Sequence, residues 1–255
     1  MGFILGHPLV VFVVAVVALW IAGRVGASLA KRHGRAESEE REAFNVLQGA
    51  TLTLLGLIIG FSFSMAISRY DQRKNYEEAE ANAIGTEYVR FDLLPAAAAA
   101  KARPLLVQYL DQRIKFYETR DRDQLAQINA RTSALQASLW DTVTPSAKEQ
   151  PSPIIALVVA GMNDVLNSQG YTQAAWWNRI PIAAWILMAT IALGCNVLVG
   201  IGAGGLTRDP AMMFVLPLVV AVSFMLIADI DSPRGGVIHV SAQNLLALKA
   251  SLPQT

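Results

Sequence analysis

Few residues in this 255-residue sequence could do chemistry, and their spacing argues against most of it. His7, His33 and His239 stand far apart, without the spacing of metal ligands. Cys195 is the only cysteine, so one chain can form neither a disulfide nor a cysteine metal site. It lies in a long apolar run, where a small buried apolar residue is the ordinary reading. Gly200, Gly202, Gly204 and Gly205 follow that run and open no helix after a strand, so an interfacial loop is expected instead of a nucleotide-binding turn. Asp229 and Asp231 close another apolar run. Calcium takes roughly 6–8 oxygen ligands, so two carboxylates are too few, and a polar stop with a turn-forming Asp-Ser-Pro explains them as well. No catalytic set, metal or cofactor is expected, and the protein is not expected to be an enzyme. A net charge of +1 leaves no nucleic-acid footprint.

The elements that must position these residues are set by where charge is missing. Hydrophobic residues make up 53% of the chain and charged ones 16%, against about 25% charged in an ordinary soluble domain. Four stretches carry no Asp, Glu, Lys or Arg: 1–23, 43–68, 180–207 and 210–228. A bilayer core needs about 20 apolar residues in a helix, and each stretch is of that order. Lipid offers the backbone no hydrogen-bond partners, so each span must be a helix or part of a closed barrel. None shows barrel-like alternation, which predicts helices. Basic residues follow the first stretch (Arg24, Lys31, Arg32, Arg35) instead of preceding it, and the stretch is long for a signal peptide. It reads as a span from about Pro8 to Ala30, with the second from about Val46 to Ile67. The division expected is 1–67 as spans one and two, 68–179 as a water-facing helical domain, 180–228 as spans three and four, and 229–255 as a tail.

Between spans two and three, Arg69 to Arg179 holds 13 basic and 13 acidic residues, a balanced and well-solvated composition. Apolar residues there recur at helical spacing. Tyr76, Ile84, Tyr88 and Phe91 share one face, as do Leu106, Tyr109, Leu110, Ile114 and Tyr117, and Leu125, Ile128, Leu135 and Leu139. Such stripes predict amphipathic helices packed on one another, with no strands. Pro95, Pro104, Pro145, Pro151, Pro153 and Gly170 are expected to punctuate them. Nothing between Arg69 and Tyr76 breaks a helix, so span two should continue out of the membrane to about Leu94. The apolar run 154–162 is too short to span and should be domain core. Trp176, Trp177 and Trp185 are expected to form an interfacial aromatic belt. Four spans put both termini and the helical domain on one side. The basic residues near the span ends divide equally between the two sides, so charge alone does not choose the side.

Two segments carry a resemblance. Gly60-Phe61-Ser62-Phe63-Ser64-Met65-Ala66-Ile67-Ser68-Arg69-Tyr70-Asp71 is similar to the end of the second span of bestrophins, where a Gly-Phe precedes an arginine and an aromatic pair; Tyr70-Asp71 stands in place of that pair. The following Glu80-Ala81-Asn82-Ala83-Ile84-Gly85 through Leu94-Pro95 resembles the bacterial bestrophin-like family. Asp229-Ile230-Asp231-Ser232-Pro233-Arg234-Gly235 is similar to the acidic element after the last span of bestrophins. The order of parts also matches: two spans, a helical insert, two spans, an acidic turn.

The resemblance implies an all-α integral membrane protein, multi-pass in the plasma (inner) membrane. It implies a homo-oligomer, a pentamer in bestrophins, with the second span lining an anion pore. The neck candidates it places on this sequence are Thr53, Leu57 and Phe61, spaced i, i+4, i+8 on one stripe. Ordinary helix–helix packing is the rival reading of that stripe. The residues of the family motif are Gly60, Arg69, Glu80, Asn82, Gly85 and Pro95, and those of the acidic turn are Asp229, Asp231, Pro233 and Gly235, near the bestrophin calcium-binding turn. The resemblance also puts the helical domain and termini in the cytoplasm. The expected partners are the lipid bilayer, further copies of the chain, and anions. The rival function is a non-conducting scaffold or signalling component that docks partners through its helical domain. An intramembrane enzyme or proton-coupled transporter is disfavoured, because the spans carry no internal charged set.

Overall fold

A computed structural model describes residues 6–33, 38–203 and 212–253. Eight α-helices and one 3-10 turn appear among the described residues, and no strand does. In chain order they are α1 (Pro8–His33), α2 (Ser38–Arg90), the 3-10 turn (Phe91–Leu93), α3 (Ala96–Glu118), α4 (Arg122–Glu149), α5 (Pro153–Trp177), α6 (Ile182–Ala203), α7 (Met212–Asp231) and α8 (Gln243–Ser251). Four stretches of helix are long and apolar enough to cross a membrane. The chain divides into two compact units, Met1–Arg69 with Arg179–His239, and Tyr70–Asn178 with Val240–Thr255. The stretch 229–255, expected from sequence to be a tail, is thus shared between them.

The first unit holds α1, the apolar part of α2, α6 and α7. Helix α1 lies against both α6 and α7. Glycines set how closely. A methyl group on Gly26 would overlap the backbone of Val197, and one on Gly200 would overlap the backbone of Gly23. Small residues let membrane helices approach this closely. Gly200 and Gly202 therefore lie within α6 and not in an interfacial loop: Gly200 is buried at the crossing, and Gly202 faces Gln48 and Phe44 of α2. Gly204 and Gly205 fall outside the described residues. The Cys195 thiol is buried and donates to the Thr51 carbonyl at 3.3 Å. The outer surface of α1 is bulky and aliphatic, with Leu9, Val13, Val14, Val17 and Ile21 exposed, as lipid contact requires.

The second unit holds the remainder of α2, then α3, α4, α5 and α8. Helix α2 does continue past the apolar segment, as one helix of 53 residues ending in the 3-10 turn. Pro95 precedes α3, Asp121 caps α4 by accepting from the Gln124 amide at 2.8 Å, and Ser152 caps α5 with Pro153 at its first turn. The expected apolar stripes supply the core: Ile84, Phe91, Leu106, Tyr109, Leu110, Leu135 and Leu139 are all buried. So are Ile155, Val158 and Met162 of the short apolar run.

Two expectations fail here. Pro104, Pro145 and Gly170 lie inside α3, α4 and α5, not between helices. The alanine run before Pro104 is a strong helix former, and tertiary packing offsets a proline that would break an isolated helix. Nor do the tryptophans form a belt. Trp176 is a core residue of the second unit, edge-on to Phe116 and Tyr117 with ring centres at 4.9 and 5.4 Å. Trp185 is buried edge-on to Phe224 in the first. Of the three, only Trp177 is exposed. Aromatic rings near an apolar boundary satisfy either role, and here two of three find ring partners.

Candidate functional site

The apolar part of α2 shows two faces. Leu55, Ser62 and Ala66 are buried within the unit, and at 100° per residue they lie on one side. Thr53, Leu57 and Phe61 lie towards the other side and are exposed, Leu57 at 52% and Phe61 at 65%. The Thr53 hydroxyl donates to the Gly49 carbonyl at 2.9 Å, so its polar atom is already engaged within the helix. The same exposed side carries Gly49, Gly56, Gly60, Ser64 and Ser68. Added methyl groups on Gly49, Gly56 and Gly60 would meet nothing within 4 Å. Small residues interspersed in this way suit a helix–helix contact. Arg69 closes the segment and approaches the Met65 sulfur at 3.6 Å.

The water-facing part of α2 carries a feature that periodicity does not reveal. Its buried positions are Arg73, Glu77, Glu80, Ala81, Ile84 and Glu87, and Phe91 of the 3-10 turn continues the same side. Four of them are charged residue types, spaced i, i+4, i+7 and i+14 on the face that also buries Ile84. Three of the four meet partners suited to their charge. Arg73 donates to the carbonyls of Ala175 and Asn178, at 3.3 and 3.1 Å, at the C-terminal end of α5. Glu77 accepts from the amides of Asn244 and Leu245, at 2.9 and 3.0 Å, and from the Asn244 side chain at 2.6 Å, at the start of α8. A cation at a helix C-terminus and an anion at an N-terminus each complement the helix dipole. Glu80 forms an ion pair with Arg113 of α3 and accepts from Tyr117 at 3.3 Å and Thr172 at 3.1 Å. All of this pair is buried. Beside it, burial pushes the Tyr109 and Tyr117 phenols upward, reinforced by the Glu80 charge, so both stay neutral hydroxyls.

Glu87 differs. Neither of its carboxyl oxygens has a hydrogen-bond partner, and burial pushes it up to about 8, with Arg90 opposing the rise and Asp164 adding to it. Asn82 and Pro95 are exposed, and Gly85 receives Leu248 of α8, whose Cδ1 would lie 3.0 Å from an added methyl group.

The acidic turn belongs to the first unit. Asp229 accepts from the amides of Val237 and Ile238, both at 2.8 Å. Asp231 accepts from the Ile180 amide at 3.0 Å. Pro233 is buried, and Gly235 fits against the Gly6 backbone where a side chain would collide. Both carboxylates are thus engaged by backbone amides. Among the described residues no group of three or more His, Cys, Asp or Glu converges as a metal site would.

A family model described as Bestrophin-like domain matches residues 9–245. No curated protein matches the sequence. Among solved structures, a single-site variant of a bacterial Bestrophin homolog from Klebsiella pneumoniae superposes with a TM-score of 0.67 at 13% identity, covering 94% of this chain and 99% of that one. Another structure of that homolog gives 0.65 at 15% identity, covering 96% and 99%. A variant described only as a membrane protein gives 0.65 at 14%, covering 95% and 99%. At such identities the likeness is one of fold.

Proposed function

The chain belongs to the bestrophin-like family of membrane proteins, and on that premise we propose that it assembles into a closed homo-oligomer around an anion-conducting pore lined by α2. The observation that carries this reading is the exposed side of α2. The glycines and serines that stand between Leu57 and Phe61 on that face gain little from lipid but allow close approach of neighbouring copies. Closed rings are the usual form of a homo-oligomer. Thr53, Leu57 and Phe61 would then form stacked apolar rings, with the Thr53 hydroxyl turned to its own backbone. Such a constriction gates by dewetting: water and ions leave a narrow apolar neck unless it widens. Subunit number by family resemblance is five. The helices bring no cofactor chemistry into this reading, and the protein acts as a conduit, not an enzyme.

The test is chloride flux from reconstituted liposomes. Phe61→Ala is expected to raise flux several-fold over wild type by widening an apolar constriction. Flux equal to empty liposomes for both proteins would sink the channel reading and favour a scaffold docking partners through the second unit. Imaging the detergent-solubilised particle adds an independent check, since a ring with α2 away from its axis is incompatible with the proposal.

The second unit is proposed to face the cytoplasm, on family resemblance, because charge does not choose. Ser133 is exposed on α4 and reports this directly. Ser133→Cys, in a background carrying Cys195→Ser, is expected to resist membrane-impermeant thiol reagents in intact cells and to react after lysis. Ready labelling of intact cells would invert the topology.

A further inference from the structure

The carboxyl of Glu87 is held where α2 meets α5. Its side chain is fully buried, and neither oxygen finds a donor. The place it occupies exists because residue 161 is glycine: a methyl group there would overlap Oε2 of Glu87 and also the guanidinium of Arg90. Nearby along the chain the buried residues are Ile84 on α2, Phe91 in the 3-10 turn that follows it, and Val158, Met162 and Val165 on α5. The Arg90 guanidinium shares the slot over Gly161 without donating to either oxygen, so an ionised carboxylate there has a charge nearby but no hydrogen bond to offset its burial. We infer that Glu87 is a proton-operated latch of the helical unit: its neutral carboxyl closes the contact between α2 and α5 over Gly161, and release of the proton opens it. The inference concerns the second unit alone and does not rest on the pore reading.

The charged groups acting on Glu87 are Arg90, from its own helix, and Asp164, one turn beyond Gly161 on α5. Arg90 favours the ionised form and Asp164 the neutral one. Burial is the larger influence and moves the group from 4.5 to about 8. The sign follows. Below pH 4.5 the carboxyl is protonated in both closed and open forms. Between 4.5 and about 8 only the closed form keeps the proton, so opening releases it and the open fraction grows with pH. Above about 8 both forms are ionised and the dependence levels off. Where one proton is released, the opening equilibrium rises about tenfold per pH unit.

Hydrogen–deuterium exchange of the full chain in detergent reads this opening. After correction for intrinsic amide chemistry, exchange across the Gly161 region of α5 is expected to rise about tenfold per unit from pH 5.5 to 7.5 and to flatten above about 8. Glu87→Gln, close in shape to the neutral acid, should abolish the slope. Two milder variants guard against a Gln variant that fails to fold. Asp164→Asn removes a like charge and should move the flattening to lower pH, whereas Arg90→Gln removes an attraction and should move it higher. A wild-type slope no steeper than that of Glu87→Gln, or flattening that neither neighbour moves, overturns the latch.

Discussion

Arg113→Met is expected to destabilise the second unit by about 3–5 kcal/mol, enough to remove much of the stability of an ordinary domain. The guanidinium and the Glu80 carboxylate are both fully buried, and the pair joins α2 to α3. Removing the cation leaves a carboxylate in the core with only the hydroxyls of Tyr117 and Thr172 to solvate it. It also removes a cation from over the Phe116 ring, 4.4 Å from its centre. The informative control is Arg113→Met with Glu80→Leu. Replacing both members of a buried pair with apolar residues is often close to neutral, so the double variant should recover most of the loss. Denaturant unfolding followed by circular dichroism measures all the variants. A double variant as unstable as the single one would show that packing around Arg113, and not the orphaned charge, carries the effect.

The second large effect is expected at the crossing of α1 and α6. Gly26→Ala and Gly200→Ala each put a methyl group into the backbone of the facing helix, where no side chain can turn aside. The helices must separate, and overpacking of this kind costs about 1–3 kcal/mol. Gly194→Ala in the same α6 is the matched control, because a methyl group there meets nothing within 4 Å. Alanine is better than glycine inside a helix by about 0.5–1 kcal/mol, so that variant should be neutral or slightly stabilised. Thermal melts in detergent, monitored by loss of the folded species on gel filtration, separate the cases. If all three variants melt together, the crossing is not held by its glycines.

The spans are legible in the sequence because about 20 consecutive residues without charge are what a bilayer core demands and what a soluble helix rarely offers. The core stripes of α3 and α4 are legible for a related reason, since Leu106, Leu110, Leu135 and Leu139 repeat at helical spacing on otherwise polar segments. Helix α2 beyond the membrane is only half legible. The apolar pattern finds Ile84 and Phe91, but Arg73, Glu77, Glu80 and Glu87 on that same face read as solvated because charge ordinarily is. A visible signal exists: three glutamates and an arginine share the phase of the apolar residues they accompany. Their partners have no local signal, since Glu77 meets a helix start 167 positions away. Gly200 is ambiguous for a different reason. A glycine that breaks a helix into a loop and one that admits a neighbouring helix look alike until the neighbour is in place.

The ladder on α2 also implies an order of events during synthesis. Glu80 waits for Arg113, 33 residues later; Arg73 waits for Asn178, 105 residues later; Glu77 waits for Asn244, 167 residues later. Ribosomes add roughly 5–20 residues per second, so these intervals are on the order of a few seconds, then five to twenty, then eight to thirty. The ion pair can therefore close while the chain is still emerging, before either of the last two apolar helices exists. The Glu77 carboxylate must stay hydrated until nearly the whole chain has been made. On this order of synthesis α8, which supplies the Asn244 and Leu245 amides to Glu77, is the last piece available to seat.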